Sequence, residues 1–294
     1  MIPGELLTAL TNDLYAHDVP RPRYLVALID MATLPQETRQ KLTDHPGFDL
    51  QPLLLAPGLE QLRPLGPHLA CPREATRKGN GALIDSLARY DSNTIVAWIT
   101  STVSADVLAR HLSQATFVDT QDSERYLLRY YDSRVTPKLL HHAPEQWREW
   151  LLAPVVSWWC RGATPSQEQW HRIRGGARSI PIVAAPRLVM DAALWQALES
   201  DPLPFRLLET LNETSPTLFS SPCHGVRLAL IESLLSQGKS LGLIDHHNLT
   251  DFIILTLQHT PQRLQGTAHW HAALQRSARG EGRLGQLFLQ GARP

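Results

Sequence analysis

The sequence predicts an α/β N-terminal lobe with a mostly parallel or mixed sheet, followed by an all-α C-terminal lobe. Three observations carry this. The nearly continuous apolar run Tyr24 to Asp30 (YLVALID) reads as a strand covered on both faces, and Thr94 to Thr100 (TIVAWIT) reads as another strong strand. Segments of helical spacing alternate with such runs, as they do in layered α/β folds. From Leu188 onward only the helical period is left. The glycine-led polar passage from Gly175 to about Pro186 marks the boundary, giving residues 1–186 as the α/β domain and 187–294 as the helical lobe.

In chain order, Glu5 to Tyr15 reads as a short amphipathic helix and Pro20 to Arg23 (PRPR) as a spacer. After the first strand, Thr33 to Leu42 is a short helix broken at His45-Pro46-Gly47. Leu50 to Leu55 is a second apolar run, and the proline-bearing stretch Leu59 to Leu69 reads mostly as loop. Gly81 to Tyr90 forms a helix, Thr94 to Thr100 the third strong strand. Ser104 to Gln114 is the clearest helix of this half, with Ser104 as N-cap and Val107, Leu108 and Leu112 along one stripe. Phe117-Val118 is a short strand. Tyr126 to Val135 (YLLRYYDSRV) alternates β-favouring residues and is expected to run as a strand to about Asp132-Ser133. Leu139 to Leu152 is helical, and Pro154 to Arg161 pairs with Glu168 to Arg174 across the ATPS turn. Helices follow at Met190–Glu199, Pro204–Glu213, His224–Gln237, Asp245–Gln258 (Asp245 as cap) and Ala268–Ser277, with a weaker one near the end.

The 28 basic residues balance the 28 acidic ones, so no global field draws nucleic acid or an anionic membrane. Cys71, Cys160 and Cys223 are scattered and odd in number, which fits neither a disulfide framework nor a zinc knuckle and points to a reducing compartment. MIPGELLTAL has no basic lead and no long apolar core, and no window reaches membrane-spanning length. The expectation is a soluble, cytoplasmic protein.

Catalytic chemistry finds little footing. Gly79-Asn80-Gly81 lacks the third glycine of a dinucleotide fingerprint and the Gly-Lys-Ser/Thr of a P-loop, and no G-x-S-x-G elbow is present. Adjacent histidines, as in His141-His142 and His246-His247, point about a hundred degrees apart on a helix and do not converge on one metal. No catalytic residue, metal ligand or cofactor is expected. Asp132 and Arg134 leave two roles open, a cap that satisfies local backbone or a surface for a partner. On the capping reading, breaking their bond in a buried corner is expected to cost about 3–5 kcal/mol. Phe252, within FIILTL, and Phe288, within LFL, sit in segments more apolar than one buried stripe requires; they serve either a partner or the core of the lobe.

An ordered series of phrases gives residues 24–174 a resemblance. YLVALIDMATLP opens it at Tyr24 to Pro35, LLLAPGLEQLRPLGPHL follows at Leu53 to Leu69, and VLARHLSQATFV at Val107 to Val118. The most specific phrase is YLLRYYDSRV, with Arg129, Tyr130, Tyr131, Asp132, Arg134 and Val135 in place and Ser133 where a proline is usual. This series resembles the adaptor (effector chaperone) family of the bacterial type VI secretion system. The stretch Asp85 to Thr100 departs from it, lacking the usual glycine- and tryptophan-rich loop. LGLIDHHNLTDFIILTLQ at Leu241 to Gln258 and GTAHWHAAL at Gly266 to Leu274 are similar to the helical lobe many such adaptors carry.

The resemblance implies a non-enzymatic, ATP-independent adaptor that holds a toxin effector by its N-terminal or linker region. It would pass that toxin to a VgrG-type spike or a PAAR-tipped protein. Arg129, Tyr131, Asp132 and Arg134 are the motif or partner-binding residues it singles out, and Phe252 and Phe288 join them as partner-binding candidates through their apolar surroundings. The α/β half would be the common scaffold, and the lobe would tune cargo choice. A degenerate α/β enzyme or small-molecule-binding protein using the crevice at the strand ends is the alternative, and a structural baseplate component is a third reading.

Overall fold

A computed structural model describes residues 3–15, 22–90, 94–178, 184–199, 201–259, 263–264 and 266–291. Pro20 and Arg21 of the expected spacer, and residues 179–183 of the expected boundary passage, lie outside the described residues. The chain divides into two compact units, one of Met1–Gly162 with Gln169–Ser200, the other of Ala163–Glu168 with Asp201–Pro294.

The first unit runs α1 (Gly4–Tyr15), β1 (Tyr24–Asp30), α2 (Gln36–Thr43), β2 (Phe48–Pro52), β3 (Pro67–Pro72), α3 (Arg77–Leu87) and β4 (Ile95–Ser101). It continues through α4 (Ala105–Ser113), β5 (Phe117–Thr120), β6 (Arg125–Leu127), α5 (Val135–His142), α6 (Glu145–Leu152), β7 (Val155–Ala163), β8 (Glu168–Arg174), β9 (Val189–Met190) and α7 (Ala192–Leu198). Six strands form one sheet in the order β2-β3-β1-β4-β7-β8. A smaller sheet has the order β6-β5-β9, with β6 antiparallel and β9 parallel to β5.

The expectation of a mostly parallel or mixed main sheet is overturned, because the large sheet is antiparallel. β1 pairs antiparallel with both β3 and β4, β2 with β3, and β4 with β7. Each β-α-β step does join strands of the same direction: β1-α2-β2 and β3-α3-β4. Each pair is split by one strand running the other way, β3 in the first case and β1 in the second. Alternation of strand and helix therefore does not make the connected strands neighbours, and the neighbours that form are antiparallel. The strand that makes the difference is β3, PHLACP, which read as the end of a proline-bearing loop. Its prolines occupy the first and last positions, where their missing N–H does least harm to the ladder, and the residues between are buried.

Both faces of the sheet are covered. Leu25, Ala27 and Ile29 of β1 pack with Leu6 and Leu10 of α1, Leu42 of α2 and Leu83 of α3. Val26 and Leu28 face the other way, toward Leu108 and Leu112 of α4, Leu139 of α5 and Trp147 and Leu151 of α6. This two-sided burial is why β1 reads as a continuous apolar run. The first unit also reaches past residue 186. β9 pairs with β5, and Leu188 and Leu194 are buried in the same core, so α7 belongs to this unit by packing.

Two differences in local structure have simple causes. Residues 139–152 are not one helix but two, because Pro144 has no N–H to continue the ladder and serves as the N-cap of α6. The YLLRYYDSRV stretch is strand only to Leu127. Its partner β5 begins at Phe117, opposite Leu127, so no ladder is available beyond that point. Leu128 makes one last bond to the Thr116 carbonyl at 2.7 Å, and then Leu128, Tyr130 and Tyr131 all turn into the core.

The second unit holds α8 (Leu203–Thr214), α9 (His224–Ser240), α10 (His246–Gln258), α11 (Ala268–Ala278) and α12 (Leu284–Gly291) around one core that includes Leu208, Ile231, Leu249, Phe252, Ile253 and Trp270. Asp245 caps α10 by accepting from the amides of His247 and Asn248. Asn248 and Asp251 of α10 in turn accept from the amides of Leu284 and Gly285, both at 2.9 Å, and so satisfy the open end of α12. No described helix is long and apolar enough to cross a membrane.

Two buried histidines make the first unit sensitive to acid. His111 donates from Nε2 to the Trp150 and Leu151 carbonyls at 3.0 and 3.2 Å, and His68 from Nδ1 to the Gly66 carbonyl at 3.0 Å. Burial holds both below the ordinary histidine value of 6.5, against the pull of those carbonyls. The unfolded chain then takes up protons at a higher pH than the folded one. Stability therefore rises with pH through the window below 6.5 and is lost as pH falls through it. The urea midpoint is expected to drop between about pH 7.5 and about pH 5.5, with a shallower drop in His111→Gln. Equal slopes for the two proteins would remove His111 from this account.

Candidate functional site

The residues singled out from the sequence fall in two places. Arg129, Tyr131, Asp132 and Arg134 lie on the turn between β6 and α5, beside the C-terminal end of β1. Asp30 ends β1, is 3% exposed, and accepts from the Ala32 amide to cap the short 3₁₀ turn at Met31–Thr33. Arg129 Nη2 donates to Asp30 Oδ2 at 2.5 Å and sits 5.7 Å from the centroid of the Tyr131 ring. The opening strand and the YLLRYYDSRV phrase, 99 residues apart in sequence, are thus joined by one ion pair.

Burial raises the Asp30 carboxyl above its ordinary value despite the attraction of Arg129. Arg129 is held above its own ordinary value by Asp30, Tyr131 and Asp132, against the burial that works to lower it. The role of the bond follows from its geometry: it ties the turn to the end of β1.

Asp132 and Arg134 do the capping work of the open alternatives. The Arg134 amide donates to Asp132 Oδ1 at 3.0 Å, and its guanidinium spans both carboxylate oxygens at 3.3 and 3.1 Å. The Asp132 carbonyl accepts from the amides of Val135 and Thr136, which starts α5. Burial works to raise the Asp132 carboxyl, but the bonds from Arg134 carry it below the ordinary carboxylate value. The corner is less enclosed than expected, since the Arg134 side chain is 52% exposed. Arg134→Ala is therefore expected to cost about 1 kcal/mol rather than 3–5, a small fall in thermal midpoint. A fall several times larger would return the pair to the fully buried class.

Phe252 and Phe288 are placed together in the helical unit. Phe252 is 2% exposed and stacks on Trp270 at 5.9 Å. Phe288 meets Trp270 edge-on at 5.6 Å and is flanked by His259 and His269. Both side chains serve the core of the unit. Its exposed apolar residues are others, Leu241, Ile244 and Leu289.

A polar network that the sequence reading passed over links α1 to the β7-β8 hairpin. Asp13 accepts from Ser157 Oγ at 2.7 Å and Trp159 Nε1 at 3.1 Å, and pairs with Arg172. Its signal was present: Asp13 lies on the same buried stripe as Leu6, Leu10 and Leu14. Among the described residues no group of three or more His, Cys, Asp or Glu could hold a metal ion. Burial pushes the Cys71 thiol up to about 11 and the Cys160 thiol up to about 12, so neither is a thiolate near neutrality.

A family model described as a domain of unknown function, DUF4123, matches residues 25–149. The matched span begins in β1 and ends in α6, and it contains both Asp30 and the Arg129–Arg134 turn. No curated protein and no solved structure matches the chain.

Proposed function

We propose that this chain is a non-enzymatic adaptor of a type VI secretion system, which binds a toxin effector and loads it onto a VgrG or PAAR-tipped spike. The observation that supports the reading is the placement of the family match. Residues 25–149 cover all but the first residue of the run from YLVALID to YLLRYYDSRV, and Asp30 and Arg129 hold together the opening phrase of the resemblance and its most specific one. The chemistry is compatible: Cys71 and Cys160 are buried, protonated thiols, and the Asp13, Asp30 and Asp132 clusters cap and pack local structure.

The test is co-expression of the full chain with the spike and toxin encoded beside its gene. A complex containing all three, stable through size exclusion, is the expected result. The reading is overturned if neither partner is retained. It is also overturned if the purified chain turns over a nucleotide, ester or peptide at a rate that a single substitution abolishes.

A further inference from the structure

The small sheet carries a second polar assembly, distinct from the Asp30–Arg129 turn. Asp119 of β5 accepts from Arg125 Nε at 2.9 Å and from Arg187 Nε at 2.8 Å, one guanidinium on each carboxylate oxygen. Arg125 arrives from β6 and Arg187 from the segment leading into β9, so Asp119 is clamped from both sides. These two bonds hold its carboxyl below the ordinary value. Both arginines spend Nε on Asp119, and their side chains remain 63% and 61% exposed. They line a cleft of about 630 Å3 with Phe117, Trp147 and Leu188 as its apolar wall. Gln114, also on the lining, accepts from the Ala185 amide through Oε1, while its Nε2 is buried and has no acceptor among the described residues. Two cations against one anion leave the cleft lining short of negative charge.

The strand beside the cleft is open. Among the described residues β6 is an end strand of its sheet, and Arg125, Tyr126 and Leu127 are all exposed. The bonds at Glu124 and Leu128 run inward to the β5 side. By the two-residue alternation of an antiparallel ladder, Arg125 and Leu127 turn their N–H and C=O groups to the free edge. The same alternation separates the side chains. Arg125 faces the cleft, whereas Tyr126 faces the opposite side, where it meets Trp195 edge-on at 6.3 Å, and Trp195 is 50% exposed. Glu124 is held on the side of Tyr126 by that residue's hydroxyl at 2.6 Å, away from the arginines.

We propose that the open edge of β6 receives an extended segment of a partner protein in which acidic and apolar residues alternate. Its carboxylates enter the cleft at Arg125 and Arg187, and its apolar side chains lie on Tyr126 and Trp195. An added strand has the same period of two as β6, so one register serves both faces at once. The site selects by pattern as well as charge. It stands apart from the adaptor reading, because it is a property of this edge whichever protein supplies the segment.

The experiment is fluorescence anisotropy of the full chain with a labelled octapeptide of alternating aspartate and valine. Its asparagine-valine counterpart and a peptide of the same composition with the aspartates in one block serve as comparisons. Saturable binding of the alternating acidic peptide is expected, at least about tenfold tighter than either comparison and weakened by salt. The neutral triple variant D119N/R125Q/R187Q keeps hydrogen-bonding side chains at all three positions. With an unchanged thermal midpoint, it should bind at least about tenfold more weakly. Equal binding of the acidic and asparagine peptides, wild-type binding by the folded triple variant, or no saturable binding overturns the proposal. Displacement of the peptide by inorganic phosphate at equal concentration would make this a small-anion site and overturn it too.

Discussion

Asp13→Ala lowers the stability of the first unit by about 2–4 kcal/mol, the larger share coming from donors left without an acceptor. Ser157 is fully buried and gives its hydroxyl to Asp13 while sharing a 2.8 Å bond with Thr100 of β4. The Trp159 indole N–H loses its acceptor with the same change. Arg172, the cationic partner, is 34% exposed and regains water when the carboxylate is gone, which keeps the cost below that of a fully buried pair. Asp13→Asn keeps an oxygen acceptor for Ser157 and Trp159 and gives up the charge and the oxygen that face the half-open Arg172, so its loss is smaller. Urea unfolding of both variants, followed by tryptophan fluorescence at constant m-value, checks the order. If the two substitutions cost the same, the charge and not the acceptor carries the effect.

Phe252→Ala destabilises the helical unit by about 3–5 kcal/mol, the usual cost of emptying an aromatic site in a packed core. The ring is 2% exposed, stacks on Trp270, and shares its core with Ile231, Leu249 and Ile253. Hydrogen exchange of the full chain reads the effect where it arises. Amides of α10 and α11 are expected to lose protection, while those of β1 and β4 keep theirs. Native protection throughout, together with loss of a bound partner, would make Phe252 a contact residue instead. The contrast with Arg134→Ala is informative, since Phe252, open in the sequence between a partner and the core, packs in the core, whereas Arg134, expected in a buried corner, is half open.

Much of the local structure was legible because its causes are local. Asp245, followed by the stripe of Leu249, Phe252 and Ile253, specifies an N-cap and a buried helix face within a dozen residues, and α10 forms there. YLVALID announces a strand with two dry faces and TIVAWIT a strong strand, and β1 and β4 are those strands. The buried stripe of α1 also carried a readable sign in Asp13, since a carboxylate among leucines requires partners from elsewhere.

Read alone, the sequence places most helices and strands, the faces that β1, α4 and α10 bury, and the phrases that align residues 25–149 with a known domain. The tertiary structure alone decided which elements are neighbours. Strand direction follows from the length and kind of the connection. Strand adjacency depends on contacts between segments distant in the chain, and here β3 lies beside β1 and the sheet is antiparallel. The same holds for Asp30 with Arg129 and for Asp119 with Arg187. Each pair joins residues far apart in the chain, 99 and 68 positions, whose meeting depends on the path of everything between them. A charge in a sequence shows that a partner is needed; only packing shows which one it reaches.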